Sequence, residues 1–213
     1  MPMRRLAALA VLLASFALPT RAVTVDRIAA TVDRQVLTVS EVAQLVEIRF
    51  FARTSESEDD HRRDVLDALI AQALRYRDVE RFGAQDISRD RVDARVSEIR
   101  GRFASEAEFV AAVARAELTL EEVQALVKRQ LQVEAYIQER FAPLVFVSND
   151  EVETYYNGPW SEQRRRRGLP VPPLERVRGE VRTAVRMSRV GEEVGKWTAQ
   201  LRKRADVDVY AWR

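Results

Sequence analysis

The segment from Val25 to Val42, which reads VDRIAATVDRQVLTVSEV, constrains the fold more than any other part of the chain. In residues 26–32 and 35–37, β-branched side chains alternate with small or polar ones, a pattern typical of β-strands. Asp33-Arg34 lies between them as the predicted turn, although a turn without glycine is a weaker hairpin signal than Asn-Gly. From Thr38 the apolar residues adopt helical spacing. The segment therefore predicts a β-hairpin followed directly by a helix.

Four predicted helix starts share one capping device. A Ser or Thr side chain accepts a hydrogen bond from the backbone N–H three residues later, and the Glu at that later position accepts one from the first residue. The pairs are Thr38/Glu41, Ser105/Glu108, Thr119/Glu122 and Ser148/Glu151. Each pair precedes a segment with periodic apolar residues, so together they predict a largely helical chain.

Apolar periodicity predicts seven helices. They cover residues 38–54, 60–81, a stretch from about 89, a stretch after 105 with Phe109, Val110 and Val113 inward, residues 120–141, a short stretch after 148, and residues 174–204. Gly191 and Gly195 inside the last helix are expected to mark a close helix contact or a bend. The alternating residues 206–210 predict a terminal strand that joins the hairpin, since a two-stranded hairpin alone is marginal in water. The predicted fold class is mainly α, with a small sheet formed by the N-terminal hairpin and the C-terminal strand.

The first 22 residues have the pattern of an export signal, with Arg4 and Arg5 before an apolar run from Leu6 to Leu18 and a cleavage site after Ala22. The run is shorter than the about 20 residues that a membrane span needs, and a retained anchor is the alternative. We therefore expect a periplasmic protein. Without this segment, 32 basic and 33 acidic residues remain, and the formal charge changes from +2 to −1. This balance does not support a nucleic-acid-binding surface.

Residues 157–173 separate the predicted helical domain, residues 23–156, from the final helix and strand, residues 174–213. They contain four of the seven prolines and two of the seven glycines, which predicts a linker or exposed loop. Four consecutive arginines lie within it: Arg164, Arg165, Arg166 and Arg167. These arginines either keep a loop solvated or contact anionic lipid headgroups or acidic polypeptide segments.

No catalytic, metal or cofactor-binding motif is present. The chain contains no Gly-rich phosphate loop, no G-x-S-x-G and no H-E-x-x-H, and it has no cysteine. His61, its one histidine, lies in a charged run and is expected to be a solvated residue at a helix start. Exposed aromatic side chains are the better candidates for a binding role. The candidate peptide-binding residues are Phe50, Phe51, Tyr155, Tyr156 and Trp160, with core packing as the alternative for each.

A family resemblance rests on several stretches taken in order. They are VDRIAATV at 25–32, VLT at 36–38 with Ser40-Glu41, VLDALI at 65–70, Phe82-Gly83, Phe109, the long fifth helix, VSNDEV at 147–152 with Tyr155-Tyr156, and ADVDVY at 205–210. Over nearly all of residues 24–210 the chain resembles SurA-type periplasmic chaperones. A departure is Asp33-Arg34 in the hairpin turn, where that family often has Asn and Gly.

This resemblance implies a SurA N-terminal-like helical domain that binds unfolded outer-membrane or secreted polypeptides without ATP. Many such proteins carry a parvulin-type peptidyl-prolyl isomerase domain between the short helix with the paired tyrosines and the last helix. Here only residues 157–173 occupy that interval, which is too short for the isomerase domain. We therefore expect a non-catalytic chaperone. The alternatives are an isomerase, as the wider family suggests, and an interaction module for one specific partner.

Overall fold

The computed structural model of this protein describes residues 26–210, and the predicted export signal, residues 1–22, lies outside this range. The described chain is mainly helical with one small antiparallel sheet, which confirms the predicted fold class. Its elements in chain order are β1 (Ile28–Val32), β2 (Gln35–Thr38), α1 (Val39–Glu47), α2 (Glu58–Phe82), α3 (Arg89–Arg100), α4 (Glu106–Arg115), α5 (Leu120–Arg140), a 3-10 turn (Ala142–Leu144), α6 (Asn149–Tyr155), a π-turn (Tyr156–Trp160), α7 (Ser161–Arg166), α8 (Leu174–Arg204) and β3 (Val207–Val209).

The sheet has the strand order β2-β1-β3, with β1 antiparallel to both neighbours. In the β1–β3 pair, Ala30 lies opposite Val209 and Val32 lies opposite Val207. The predicted pairing of the C-terminal strand with the hairpin is therefore confirmed. The third strand brings the two ends of the described chain together and gives the hairpin the support that it lacks alone.

The hairpin turn depends on the side chain of Asp33. Its backbone has a φ of 52°, a left-handed conformation that Asp tolerates better than most residues. The Asp33 N–H donates to the carbonyl of Asp206 at 2.7 Å, and its Oδ1 accepts from the Asp206 N–H at 3.0 Å. The other carboxylate oxygen pairs with Arg77 of α2. Asp33 thus fastens a glycine-free turn to both the C-terminal strand segment and α2.

Three of the four predicted capping boxes form completely, at Thr38, Thr119 and Ser148. The fourth is half formed. Ser105 accepts from the Glu108 N–H at 3.2 Å, but the Glu108 carboxylate accepts from the N–H of Ala104 at 2.8 Å and from Arg49 at 2.9 Å. The same sequence signal therefore begins α4 while its carboxylate also holds the loop after α1.

Helix α1 ends at Glu47, so the prediction that it continues to about Thr54 is wrong. Arg49 adopts a φ of 50°, and the Phe50 N–H donates to the carbonyl of Leu45 at 2.9 Å. A left-handed residue that closes the last turn in this way is a common helix ending. The reversal turns Phe50 into the interior instead of extending the helix outward.

The larger core comprises 32 buried residues from β1, β2, α1–α5, the adjoining loops and the C-terminal half of α8. Its most enclosed side chains include Phe109, Ile70 and Ile99. The prediction that Val110 points inward is wrong, because this side chain is 55% exposed. Adjacent helical residues differ by about 100°, so the face that buries Phe109 turns its neighbour outward.

The prediction that His61 is solvated is also wrong, since it is buried at 5% exposure. Helix α2 begins at Glu58, which places His61 one turn before Val65 on the same inward face. Its Nδ1 atom has no hydrogen-bond partner within residues 26–210. The charged neighbours in the sequence lie on the other faces of the helix.

A smaller core contains the buried residues Val147, Val152, Trp160, Val181 and Val185. Residues on both sides of the predicted linker thus meet there. Within residues 157–173, the prediction of a linker or exposed loop is wrong over the π-turn and α7, which are helical. Gly158 does break the regular helix, with φ −109° and ψ −108°. Trp160 is nevertheless buried, and its ring lies 5.5 Å from that of Tyr156, so packing restores helical structure after the kink.

Four arginines spaced along one face of α8 hold the preceding segment, residues 142–153, against it. Arg182 donates to the Val147 carbonyl at 2.9 Å and to Asn149 Oδ1 at 2.6 Å. Arg186 donates to the Ala142 carbonyl at 2.8 Å. The set is completed by the ion pairs Arg178–Glu153, at 3.7 Å, and Arg189–Glu151. Polar contacts thus supplement the few apolar side chains of the smaller core.

Candidate functional site

The structure does not bring the predicted aromatic residues together. Phe50 and Phe51 belong to the larger core region, where Phe50 is buried and half-buried Phe51 meets it edge-on at 5.1 Å. The others belong to the smaller core, where Trp160 is buried and Tyr155 and Tyr156 are half-buried. Core packing, the alternative considered for each residue, therefore describes Phe50 and Trp160. These two side chains offer no open surface to a ligand.

The four consecutive arginines lie on α7 and just after it, and they have different environments. Arg164 lies with its guanidinium 4.9 Å from the Trp160 ring centroid and donates to the Pro170 carbonyl at 2.8 Å. Arg166 pairs with Glu162 at 3.8 Å. Arg165 and Arg167 are exposed and form no ion pair within residues 26–210. Only the last two present free positive charge at the surface.

An open groove between α5 and α8, next to the loop that joins α2 to α3, has a volume of about 710 Å³. Its apolar surface is formed by Ala135, Ile137, Met187, Val190 and Val194, and its polar margin by Gln85, Arg91, Glu134, Gln138 and Glu139. Met187 is 55% exposed, so part of this apolar surface already faces solvent.

Small residues keep the groove open. A Cβ atom added at Gly191 would meet no atom within 4 Å, and the same holds at Gly195. The expectation that these glycines mark a close helix contact is therefore wrong. Gly191 of α8 and the small side chain of Ala135 of α5 both line the groove. The sequence signal for the groove is thus two small residues on separate helices, which only the fold brings to the same groove.

The acidic side chains at the margin of the groove are held by neighbouring residues. Both oxygens of Glu134 accept from Arg95 at 2.9 Å, and this hydrogen bonding raises the pKa of Arg95. Glu139 accepts a hydrogen bond from Gln85. The margin is therefore polar, and its two carboxylates are hydrogen-bonded to neighbouring side chains. Such a margin favours ligands that bring apolar side chains over ligands recognised by charge.

Leu144 and Phe146 are the most exposed large apolar side chains among residues 26–210, at 78% and 83%. They flank half-buried Val145, and Val147 behind them is buried. This segment lies against α8, because Arg186 bonds to Ala142 and Arg182 bonds to Val147. Arg186 directly precedes Met187, so these side chains and the groove adjoin the same stretch of α8.

The carboxyl groups with lowered pKa values have structural partners. The hydroxyl of Ser55, followed by that of Thr54, lowers the pKa of Asp64. The backbone N–H and side chain of Thr119 lower the pKa of Glu122 within a capping box. Over residues 26–210, no group of three or more His, Cys, Asp or Glu side chains has an arrangement that could hold a metal ion. In the same range, no helix is both long and apolar enough to span a bilayer.

No protein-family model fits the chain, and no curated protein sequence matches it. The resemblance to SurA-type chaperones therefore rests on the residues and on the order of the segments that carry them. The groove and the exposed segment beside it are the surfaces available for a functional proposal.

Proposed function

We propose that this protein is a periplasmic, ATP-independent chaperone that binds unfolded outer-membrane or secreted polypeptides and performs no catalysis. The observation that carries the proposal is the open groove between α5 and α8, with its apolar surface and polar margin. Its volume of about 710 Å³ lies within the range of about 300–1,000 Å³ typical of ligand sites. Exposed Met187 supports an adaptable surface, because its flexible thioether side chain accommodates ligands of different shapes.

The mechanism is reversible holding. Apolar side chains of an unfolded chain gain about 25 cal/mol per Å² when they enter the groove, while the charged exterior keeps the complex in solution. Part of this gain is offset by the ordering of the bound segment, so binding is weak enough for release. The residues between α6 and α8 form a π-turn, a short helix and a connecting loop, which supports a function without an inserted isomerase.

The central experiment compares two substitutions at equally exposed apolar positions. Met187→Glu places a charge in the groove, whereas Val110→Glu places one on α4; each wild-type side chain is 55% exposed. We expect the first change to reduce suppression of aggregation of an unfolded outer-membrane barrel, with about a tenfold loss of affinity from the lost burial of one large apolar side chain. The second change should leave suppression near the wild-type level. An equal loss of aggregation suppression in both variants would contradict the groove as the client-binding surface.

Two further assays separate the alternatives. A proline-peptide isomerisation assay should show no rate increase, and a clear rate increase would replace the proposal with an isomerase. Pull-down from periplasmic extract should recover a broad set of unfolded proteins. Recovery of one protein in stoichiometric amount would instead identify an interaction module for a specific partner.

A weak contact with anionic membrane surfaces is a second part of the proposal. It rests on Arg165 and Arg167, because Arg164 stacks on Trp160 and Arg166 pairs with Glu162. Changing Arg165 and Arg167 to Ser should weaken salt-sensitive binding to anionic liposomes about thirtyfold, since each basic residue near such a surface contributes about 1 kcal/mol. Binding that is unchanged by the double substitution, or that does not respond to salt, would contradict this contact.

A further inference from the structure

The segment between the 3-10 turn and α6 has the features of a free strand edge. Val145 is extended, with φ −94° and ψ 105°, and Ser148 is extended, with φ −74° and ψ 166°. Exposure alternates after the 3-10 turn, because Phe146 faces solvent while its neighbours Val145 and Val147 turn inward. This two-residue period is the one that a strand produces when one of its faces is buried.

The backbone groups of Phe146 are unused. Within residues 26–210, neither its N–H nor its C=O makes a hydrogen bond. The neighbouring carbonyl of Val147 accepts from Arg182, so it points toward α8. Along an extended chain the backbone polar groups of successive residues point to opposite sides, which directs those of Phe146 away from α8. Phe146 therefore presents one donor and one acceptor outward, the pair that one residue of an antiparallel partner strand requires.

We propose that this edge captures an extended apolar segment of an unfolded polypeptide by strand pairing at Phe146, with Leu144 and Phe146 covering its side chains. This inference rests on the proposed function and specifies how the client is held. The unused backbone pair favours an extended chain as the occupant, because a regular helix uses its backbone groups internally whereas an extended segment leaves them free. Specificity for sequence is low, since main-chain hydrogen bonds form with any residue except proline.

A second copy of this protein fits the edge less well than a client does. Two large side chains expose roughly 300 Å², whereas a stable protein–protein interface buries about 800 Å² on each partner. The edge is also short, because the 3-10 turn ends at Leu144 and the Ser148 N–H is already bonded to Glu151. Pairing over about three residues suits brief, reversible contact. The adjacent groove then takes the rest of the client segment.

The experiment uses the full chain and a soluble seven-residue peptide of alternating Val and Thr as the probe. We compare it with the same peptide N-methylated at alternate amides, which removes donors from one edge only. The unmodified peptide should bind and slow amide exchange at Phe146, and methylation of the pairing edge should weaken binding about two- to tenfold for each lost hydrogen bond. Equal binding of both peptides, or slowed exchange at Val207 and Val209 of β3 instead, would overturn the inference.

Two substitutions at the same position separate side chain from backbone. Phe146→Ser removes the aromatic ring and keeps the N–H, whereas Phe146→Pro removes both. Extended Val145 is compatible with a following proline. We expect Ser to weaken peptide binding and Pro to weaken it further. Phe82→Ser, at another exposed phenylalanine, is the control and should leave binding unchanged. Equal affinities of the Ser and Pro variants for the peptide would contradict a backbone contact at Phe146. If the Pro variant does not fold, the comparison with the methylated peptide tests the backbone contact instead.

The outcomes also distinguish this inference from the proposed function. Peptide binding at Phe146 without suppression of aggregation would support strand pairing at this edge and contradict chaperone activity. Suppression of aggregation without slowed amide exchange at Phe146 would support chaperone activity and contradict strand pairing at this edge. Concentration-dependent self-association that disappears in Phe146→Ser would overturn the client proposal and assign the edge to pairing between copies of this protein.

Discussion

The two cores of this protein are stabilised by different means. The larger core joins 32 buried residues from the sheet, five helices and the end of α8, whereas the smaller core has only five. The smaller one depends on Trp160 and on the arginines that clamp residues 142–153 to α8. Few buried apolar contacts and many exposed hydrogen bonds are typical of regions that open locally. The segment with Leu144 and Phe146 therefore lies in the region of the fold that opens most easily.

Helix α8 connects the two regions. Its first half contributes Val181 and Val185 to the smaller core, and its second half contributes Trp197 and Leu201 to the larger one. The Trp197 indole donates to Asp78 of α2 at 3.1 Å, so the second half is anchored independently of the first. We therefore expect that the smaller core can unfold while the larger core stays folded. Unfolding of the larger core should unfold the smaller one as well.

The largest effect should come from Phe109→Ala in the larger core. This side chain is 2% exposed and packs edge-on against Phe103 at 5.6 Å, so its removal leaves a cavity that costs about 3–5 kcal/mol of unfolding free energy. Urea unfolding followed by circular dichroism measures the loss in the main transition. Val110→Ala, the adjacent exposed position, should cost less than about 0.5 kcal/mol. Similar costs at the two positions would contradict the assignment of this core.

Trp160→Ala removes the main side chain of the smaller core, and its effect should remain local. We expect amide protection in α6 and α7 to be lost while the main urea transition shifts by less than about 1 kcal/mol, because the smaller core can open by itself. Hydrogen exchange with mass spectrometry resolves the two regions. A shift of the main transition as large as that of Phe109→Ala would show that the two cores unfold as one unit.

Arg182→Met tests the arginine contacts that hold residues 142–153 against α8, because Met keeps an apolar side chain of similar length without the hydrogen-bond donors. Loss of the hydrogen bonds to Val147 and Asn149 should lower protection in α6 by about 1–2 kcal/mol, because a half-buried carbonyl loses its charged donor. Arg166→Met on α7 is the matched control. Its exposed ion pair with Glu162 should contribute less than about 0.5 kcal/mol. Equal changes for both variants would mean that the clamp adds no stability beyond a surface charge.

Acidification should produce the smallest and most gradual effect. Four carboxyl groups on elements of the larger core or on the segments beside them have pKa values below their ordinary ones: Asp26 through the Thr38 hydroxyl, Asp64 through Ser55, Asp86 through Lys128 and Glu122 through Thr119. Since folding lowers these pKa values, their stabilisation is present above about pH 4–5 and is lost as pH falls through the folded-state values.

Lowering the pH should therefore reduce the free energy of unfolding of the larger core. Urea unfolding at neutral pH and at pH 3 measures the change, and Glu122→Gln should reduce the pH dependence because one titrating group is removed. A transition midpoint that does not change with pH would contradict the role assigned to these capping and ion-pair contacts.

Local patterns predicted the elements well where neighbours within a few residues determine them. Helix α8 was predicted from residue 174 to 204 and begins and ends at those residues, since its periodicity is long and uninterrupted. The capping pairs located the starts of α1, α4, α5 and α6 because the contacting groups are three residues apart. The predicted end of α1 was wrong because the chain reverses direction after Glu47, and this reversal buries Phe50 in the larger core.

The candidate site was less predictable. Aromatic residues were expected at the surface, yet Phe50 and Trp160 are buried, while exposed Leu144 and Phe146 carried no local signal. The groove is lined by small residues of two separate helices, Ala135 of α5 and Gly191 of α8. Periodicity identifies which face of an element is apolar, but it does not identify the neighbour that covers that face or leaves it open.

The sequence by itself determined the strand–turn–strand–helix start, the helix starts and the apolar faces, since propensity, capping and periodicity act between residues close in the chain. Tertiary structure decided that Asp33 joins the two ends of the described chain, that residues 157–173 help enclose a second core, and that Phe146 keeps free backbone groups. Those outcomes depend on contacts between residues distant in sequence, whose partners no local pattern specifies.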